Sequence, residues 1–222
     1  MKFESIYRIA RGFRRKRMER FLAMCAPTPA TTILDVGGFS GFWSESGITA
    51  QITILRPEGP ENLPPGGPAN IRSIAGDGCD LREHASQSFD IVFSNSVIEH
   101  VGDAARQQAF AHEALRVGKS VWMQTPARAF PIEPHLLTPF YHWLPVAMQE
   151  RFFRWTVWGL MRKPRPTVAD YHLHTRARLL SRREVQAWFP GALIVTERFC
   201  GLPKSYIAWR KPNPQAPGAS AV

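Results

Sequence analysis

Between Thr31 and Pro126 the chain alternates short β-branched runs with turns and helical stretches, and that alternation limits the fold more than any single motif. The runs are TTILDV (31–36), QITIL (51–55), ANIRSIAG (69–76), SFDIVFSN (88–95) and KSVWMQTP (119–126). The fourth is an almost unbroken apolar segment, as expected of a strand covered on both faces. GFWSESG (41–47) reads as a short helix or turn, and RPEGPENLPPGGP (56–68) as a long surface loop. GDAARQQAFAHEALRVG (102–118) starts on Asp103 as a cap and stops on Gly118, so it predicts a helix. Strands alternating with helices predict an α/β fold with a mostly parallel sheet.

The flanks differ. Residues 3–22 set Phe3, Ile6, Tyr7, Ala10 and Phe13 at helical spacing among six basic residues at 8, 11 and 14–17, which predicts a basic amphipathic helix over about residues 1–26. Residues 127–178 hold many prolines, aromatics and histidines with little period. Ser181 and Glu184 then form a capping box. ALIVTERF (192–199) and KSYIAWR (204–210) sit close enough to pair antiparallel, and residues 212–222 cannot bury anything and read as a disordered tail.

The 222 residues, 44% hydrophobic, can bury one full core, so a single domain over 30–211 is expected, with 127–178 as a lid inserted into it. The net charge of +10 favours an acidic partner, either nucleic acid or an anionic membrane surface. No RNA-binding motif accompanies the basic residues, which favours a small-molecule or lipid-like substrate. Cys25, Cys79 and Cys200 form no CxxC pair, so no disulfide framework is expected and a reducing cytoplasm fits. No run approaches the roughly 18 apolar residues of a membrane span. The segment WLPVAMQERFFRWTVWGLMR (143–162) reads as a lid over an apolar substrate or as an interfacial helix, which places the protein in the cytoplasm or peripherally at the inner face of the membrane.

The turn after the first strand narrows the ligand. In an open α/β sheet, ligands bind beyond the carboxyl ends of the strands. Asp35 stands there, where a carboxylate repels a pyrophosphate, and Gly37, Gly38 and Gly41 do not spell G-x-G-x-x-G. A cofactor carrying an ammonium group suits that acid better. Here the chain resembles the class I S-adenosylmethionine (SAM)-dependent methyltransferases, particularly the type 11 group. Asp35, Gly37 and Gly41 match the D-x-G-x-G-x-G motif, with Phe39 in place of the middle glycine.

The resemblance implies a Rossmann-like seven-stranded, mostly parallel sheet with helices on both faces and an antiparallel C-terminal hairpin. It implies SAM as cofactor, with Asp35, Gly37, Gly38 and Gly41 around its methionine half. Glu58 substitutes for the ribose-binding acid. Asp77 and Gly78, with Cys79, meet the adenine, and Asn95 and Ser96 in SFDIVFSNSVIEHV lie beside the transferable methyl group.

Methyl transfer to a hydroxyl or amine benefits from a base titrating near neutrality, which makes His135 and then His100 the candidate catalytic residues. His172 and His174 share one side of DYHLH, but no third ligand is evident and no metal is expected. Arg56 at the end of the second strand leaves an NADP-dependent oxidoreductase as one alternative. A membrane-associated binding protein without activity, keeping the fold, is the other.

Overall fold

The computed structural model describes residues 3–63, 68–133, 135–161, 164 and 177–212, with side chains described from residue 11 onward. The expected tail and the His172–His174 pair lie outside the described residues.

Seven strands form one sheet: β1 (Thr32–Val36), β2 (Gln51–Arg56), β3 (Ile71–Ala75), β4 (Phe89–Asn95), β5 (Gly118–Pro126), β8 (Leu193–Phe199) and β9 (Leu202–Arg210). Their order is β3-β2-β1-β4-β5-β9-β8. β1 to β5 run parallel, and β9 lies antiparallel to both β5 and β8. A separate two-stranded ribbon pairs β6 (Ile132–Glu133) with β7 (Thr138–Pro139).

Period-two alternation divides the core between the two faces of the sheet. Ile33, Ile52, Ile54, Ile91, Phe93 and Trp122 pack on one face with Phe21 of α1 (Phe3–Cys25) and Trp43 of α2 (Ser40–Ser44). Leu34, Val92, Val121 and Met123 pack on the other, against α3 (Ala104–Val117) and a short helix over Arg182–Trp188. Asp103 caps α3 by accepting from the Arg106 amide at 2.9 Å, and Ser181 and Glu184 form the reciprocal capping box. Between β7 and Arg182 the described chain forms α4 (Val146–Phe152) and α5 (Val157–Met161). The helix at Arg182–Trp188 is therefore α6.

The basic N-terminal helix is joined to the sheet by one of its own arginines. Arg17 is buried, ion-pairs with Glu197 of β8 at 2.6 Å, and donates to Gln124 Oε1 at 2.9 Å and Asn95 Oδ1 at 2.5 Å. Arg11, Arg14, Arg15, Lys16 and Arg20 remain exposed around it.

Candidate active site

The strand order reverses direction between β1 and β4, and two crevices open there beyond the carboxyl ends of the strands, where such sheets bind ligands. The first, of about 750 Å³, is walled by Gly37 and Gly38 after β1, Leu55 to Glu58 at the end of β2, Gly76 to Gly78 after β3, and Ser96, Val97 and His100 after β4. The second, of about 400 Å³, is walled by Phe13, Arg14 and Arg17 of α1, Asn95, Ser96 and Gln124 of the sheet, Phe130, Ile132 and His135 of the segment after β5, and Lys204. Phe39 and Ser96 line both. The phenylalanine standing where a glycine was expected is thus a half-exposed partition between two binding spaces.

The first crevice suits the cofactor. Its volume is in the range of small-molecule sites. Gly37 holds φ +79°, and a Cβ there would meet Val97 at 2.7 Å, so the backbone can follow this path only as glycine. Glu58 carries a largely exposed carboxylate at the end of β2, paired with Arg56 at 3.6 Å. Asp77 lies in the wall after β3, held at 2.8 Å by Arg106 and accepting from the Cys79 amide at 2.9 Å. Burial raises its carboxyl, but these partners outweigh it and hold the group below the usual range. Ser96, at φ +58°, donates to Gln124 Oε1 at 2.9 Å.

Three expected residues stand outside that wall: Asn95 lines the second crevice alone, and Asp35 and Gly41 line neither. Asp35 does not reach the crevice. Its carboxylate is buried, accepts from the Trp43 indole N–H at 2.6 Å and lies directly beneath Gly38, where a Cβ would come within 1.7 Å of Oδ2. The acid therefore fastens α2 to β1 and packs under the glycine turn. Burial pushes it up to about 7, against the lowering effect of the Trp43 bond. Gly41 sits in the first turn of α2, facing the Phe39 ring and outside the crevice wall.

The candidate bases form one cluster at the junction of the crevices. His100 belongs to the 3-10 turn Ile98–His100 after β4, and His135 follows β6. Their Nε2 atoms are 3.0 Å apart, and His135 Nδ1 is 2.7 Å from Glu133 Oε1. Burial and the neighbouring His135 push His100 down to about 4. Burial also pulls on His135, but the bond and charge of Glu133, with Glu99 behind, raise it above its ordinary value. Glu99 is buried beside the pair and pushed up to about 7.

Sequence reasoning missed Arg17, Gln124 and Lys204. A helix rich in arginine gives no signal that one of them faces inward. Lys204 Nζ sits 4.3 Å from the Phe13 ring centroid, adding charge to the second crevice.

A strand order with an antiparallel hairpin at one edge and crevices at the strand tips defines the Rossmann-like methyltransferase architecture. Residues 50–120 match the family model described as a methyltransferase domain, which supports an enzyme using SAM. Magnesium protoporphyrin IX methyltransferase from Synechocystis PCC 6803, solved with S-adenosylhomocysteine (SAH), is similar at 13% identity and TM-score 0.54, over 95% of this chain and 89% of that one. The N-terminal domain of EvdMO1 with SAH bound is similar at 18% and 0.53, over 90% and 81%. A Rhodobacter sphaeroides protein described as a candidate Zn-dependent alcohol dehydrogenase is similar at 13% and 0.57, over 89% and 90%. At such identities the structures speak for the fold alone. No curated protein matches the sequence.

Proposed function

We propose that the protein transfers the methyl group of SAM to a small-molecule or lipid-like acceptor seated in the second crevice. One observation carries this reading: the cofactor-sized crevice and the second crevice share Phe39 and Ser96 as walls. A reactive group on one side thus faces a nucleophile on the other. Bound SAM supplies a methyl carbon on a sulfonium, whose bond to sulfur breaks, electrons passing to sulfur, as the bond to the acceptor forms. The protein's work is alignment and exclusion of water. Ser96 and Asn95 fix the junction, the Phe39 ring closes it from solvent, and the His100–His135 pair takes the acceptor's proton. Phe13, Phe42 and Phe130 suit an apolar body, while Arg14 and Lys204 suit an acidic group on the same molecule.

The test uses deuteromethyl-labelled SAM with lipid and small-molecule extracts, read by mass spectrometry. Labelled product is expected, and Ser96→Phe, which fills the junction, should abolish it. No labelled product from protein shown by calorimetry to bind SAM overturns transfer in favour of the non-catalytic alternative. Binding of NADPH in place of SAM establishes the oxidoreductase.

A second reading concerns where the acceptor comes from, and exposed side chains favour it. Phe140, Trp143, Val146, Trp155, Leu160 and Met161 present apolar surface on the lid, and α1 presents exposed arginines. Among the described residues no helix is long and apolar enough to cross a membrane. The pattern fits peripheral contact with an anionic bilayer.

A further inference from the structure

We infer that Glu99, His100 and His135 form a binding site for one divalent transition-metal ion of the manganese-to-zinc series, at the junction of the two crevices. The inference rests on the methyl-transfer reading only for what the ion does, and stands without it as a binding site. One donor atom from each residue lies within 4.8 Å of the other two. The two Nε2 atoms face each other at 3.0 Å. Two bonds of about 2.1 Å meeting at roughly a right angle place their ends about that far apart.

The carboxylate supplies an independent sign. Glu99 is buried, and its Oε2 accepts from Thr125 Oγ1 at 3.0 Å while Oε1 has no hydrogen-bond partner among the described residues. A buried oxygen left without a donor costs about 1–3 kcal/mol, and a cation beside the two imidazoles satisfies it. Glu133 completes the arrangement. It is buried, takes the Leu136 amide on one oxygen at 2.5 Å and holds His135 Nδ1 with the other. That is how a carboxylate behind a metal-bound histidine fixes the ring and directs Nε2 to the ion. The two imidazoles and one carboxylate suit this series of ions better than magnesium or calcium.

The three residues are separate in sequence character. Glu99 and His100 end the segment after β4, and His135 arrives from the ribbon after β5, so the fold alone joins them. His100 lines the cofactor crevice and His135 the acceptor crevice. An ion held between them can bind an acceptor hydroxyl oxygen. With both imidazoles held on the ion, water replaces the His100–His135 pair as the proton acceptor, and the resulting oxygen anion, stabilised by the ion, is the nucleophile.

The experiment is a Co²⁺ titration of tag-free, chelator-dialysed protein, followed by visible d–d absorption, with Zn²⁺ calorimetry alongside. One equivalent should bind. His100→Ala and His135→Ala should each remove the absorption bands, and Glu133→Gln should weaken affinity about 10–100-fold. Melting of each variant without metal reports its fold. If either alanine variant fails to fold, Glu99→Gln, which keeps the side-chain shape, should still lower the affinity for Co²⁺ and change the bands. Failure of Co²⁺ and Zn²⁺ to bind, or binding indifferent to these substitutions, overturns the site. SAM calorimetry on the metal-free protein separates the two claims: SAM binding without a Co²⁺ site overturns only the metal, whereas a Co²⁺ site without SAM binding overturns only the methyl transfer.

Discussion

Asp35 shows how one carboxylate can serve a ligand loop from behind. Its charge is withdrawn from solvent, its oxygen is committed to Trp43, and Gly38 lies across it so closely that no other residue fits. The folded carboxyl titrates near 7, well above the ordinary value of 3.8. The native state therefore holds the proton more tightly than the unfolded chain. Below about pH 4 both states are protonated and the group is neutral to stability. As pH rises toward 7 the unfolded chain ionises first, and the native state loses stability until both are ionised. At about 1.4 kcal/mol per unit, that loss reaches at most about 4 kcal/mol. Asp35→Asn keeps an acceptor for the indole and removes the titration. Its melting temperature relative to the unmutated protein should climb as pH is raised from 5 to 8. A difference that stays flat over that range would mean the carboxyl is equally acidic folded and unfolded.

Arg17 governs how an element is attached. A buried arginine costs desolvation that only a complete set of partners offsets, and Glu197, Gln124 and Asn95 provide one. Removing one partner of such a pair strands the other's charge. Arg17→Met should therefore cost about 3–5 kcal/mol in denaturant unfolding and free Asn95 at the site. A loss below about 1 kcal/mol would show that α1 is held by its apolar face, Phe21 with Met18 and Leu22, and not by the arginine. This contact also marks the limit of what the sequence displays. All seven strands of the sheet were legible, because a β-branched run bounded by turns carries its own signal. The caps at Asp103 and Ser181 were equally plain, their partners lying three residues away. Arg17 was not legible, since its partners stand 78 to 180 positions along the chain and helical charge patterns usually mark the solvent face. At the candidate site, Gly37, Glu58, Asp77, Gly78 and Ser96 line the first crevice. The inward turn of Asp35 depends on Trp43, whose role no motif announces. The meeting of His100 and His135 depends on the path of an aperiodic segment.

At the scale of the whole molecule, charge and apolar exposure flank the same opening. Phe13, Arg14 and Arg17 form one wall of the second crevice, from a helix whose outer face is basic; Phe130 and Ile132 form another, at the base of the segment that carries the exposed tryptophans. The Phe140 amide donates to the Pro131 carbonyl at 2.6 Å, tying the apolar surface to the crevice wall. An amphipathic acceptor leaving a bilayer would meet arginines suited to its headgroup and aromatic rings suited to its chain. The two contributions respond differently to conditions. Each basic residue near an anionic surface contributes roughly 1 kcal/mol and is screened by salt, whereas apolar insertion is not. Co-sedimentation with liposomes should rise with the fraction of anionic lipid and fall in high salt. Trp143→Ser with Trp155→Ser should reduce the bound fraction that survives high salt, and Arg14→Gln with Arg15→Gln should reduce the salt-sensitive part. Sedimentation that ignores both anionic lipid and these substitutions would leave the acceptor to reach its crevice through water.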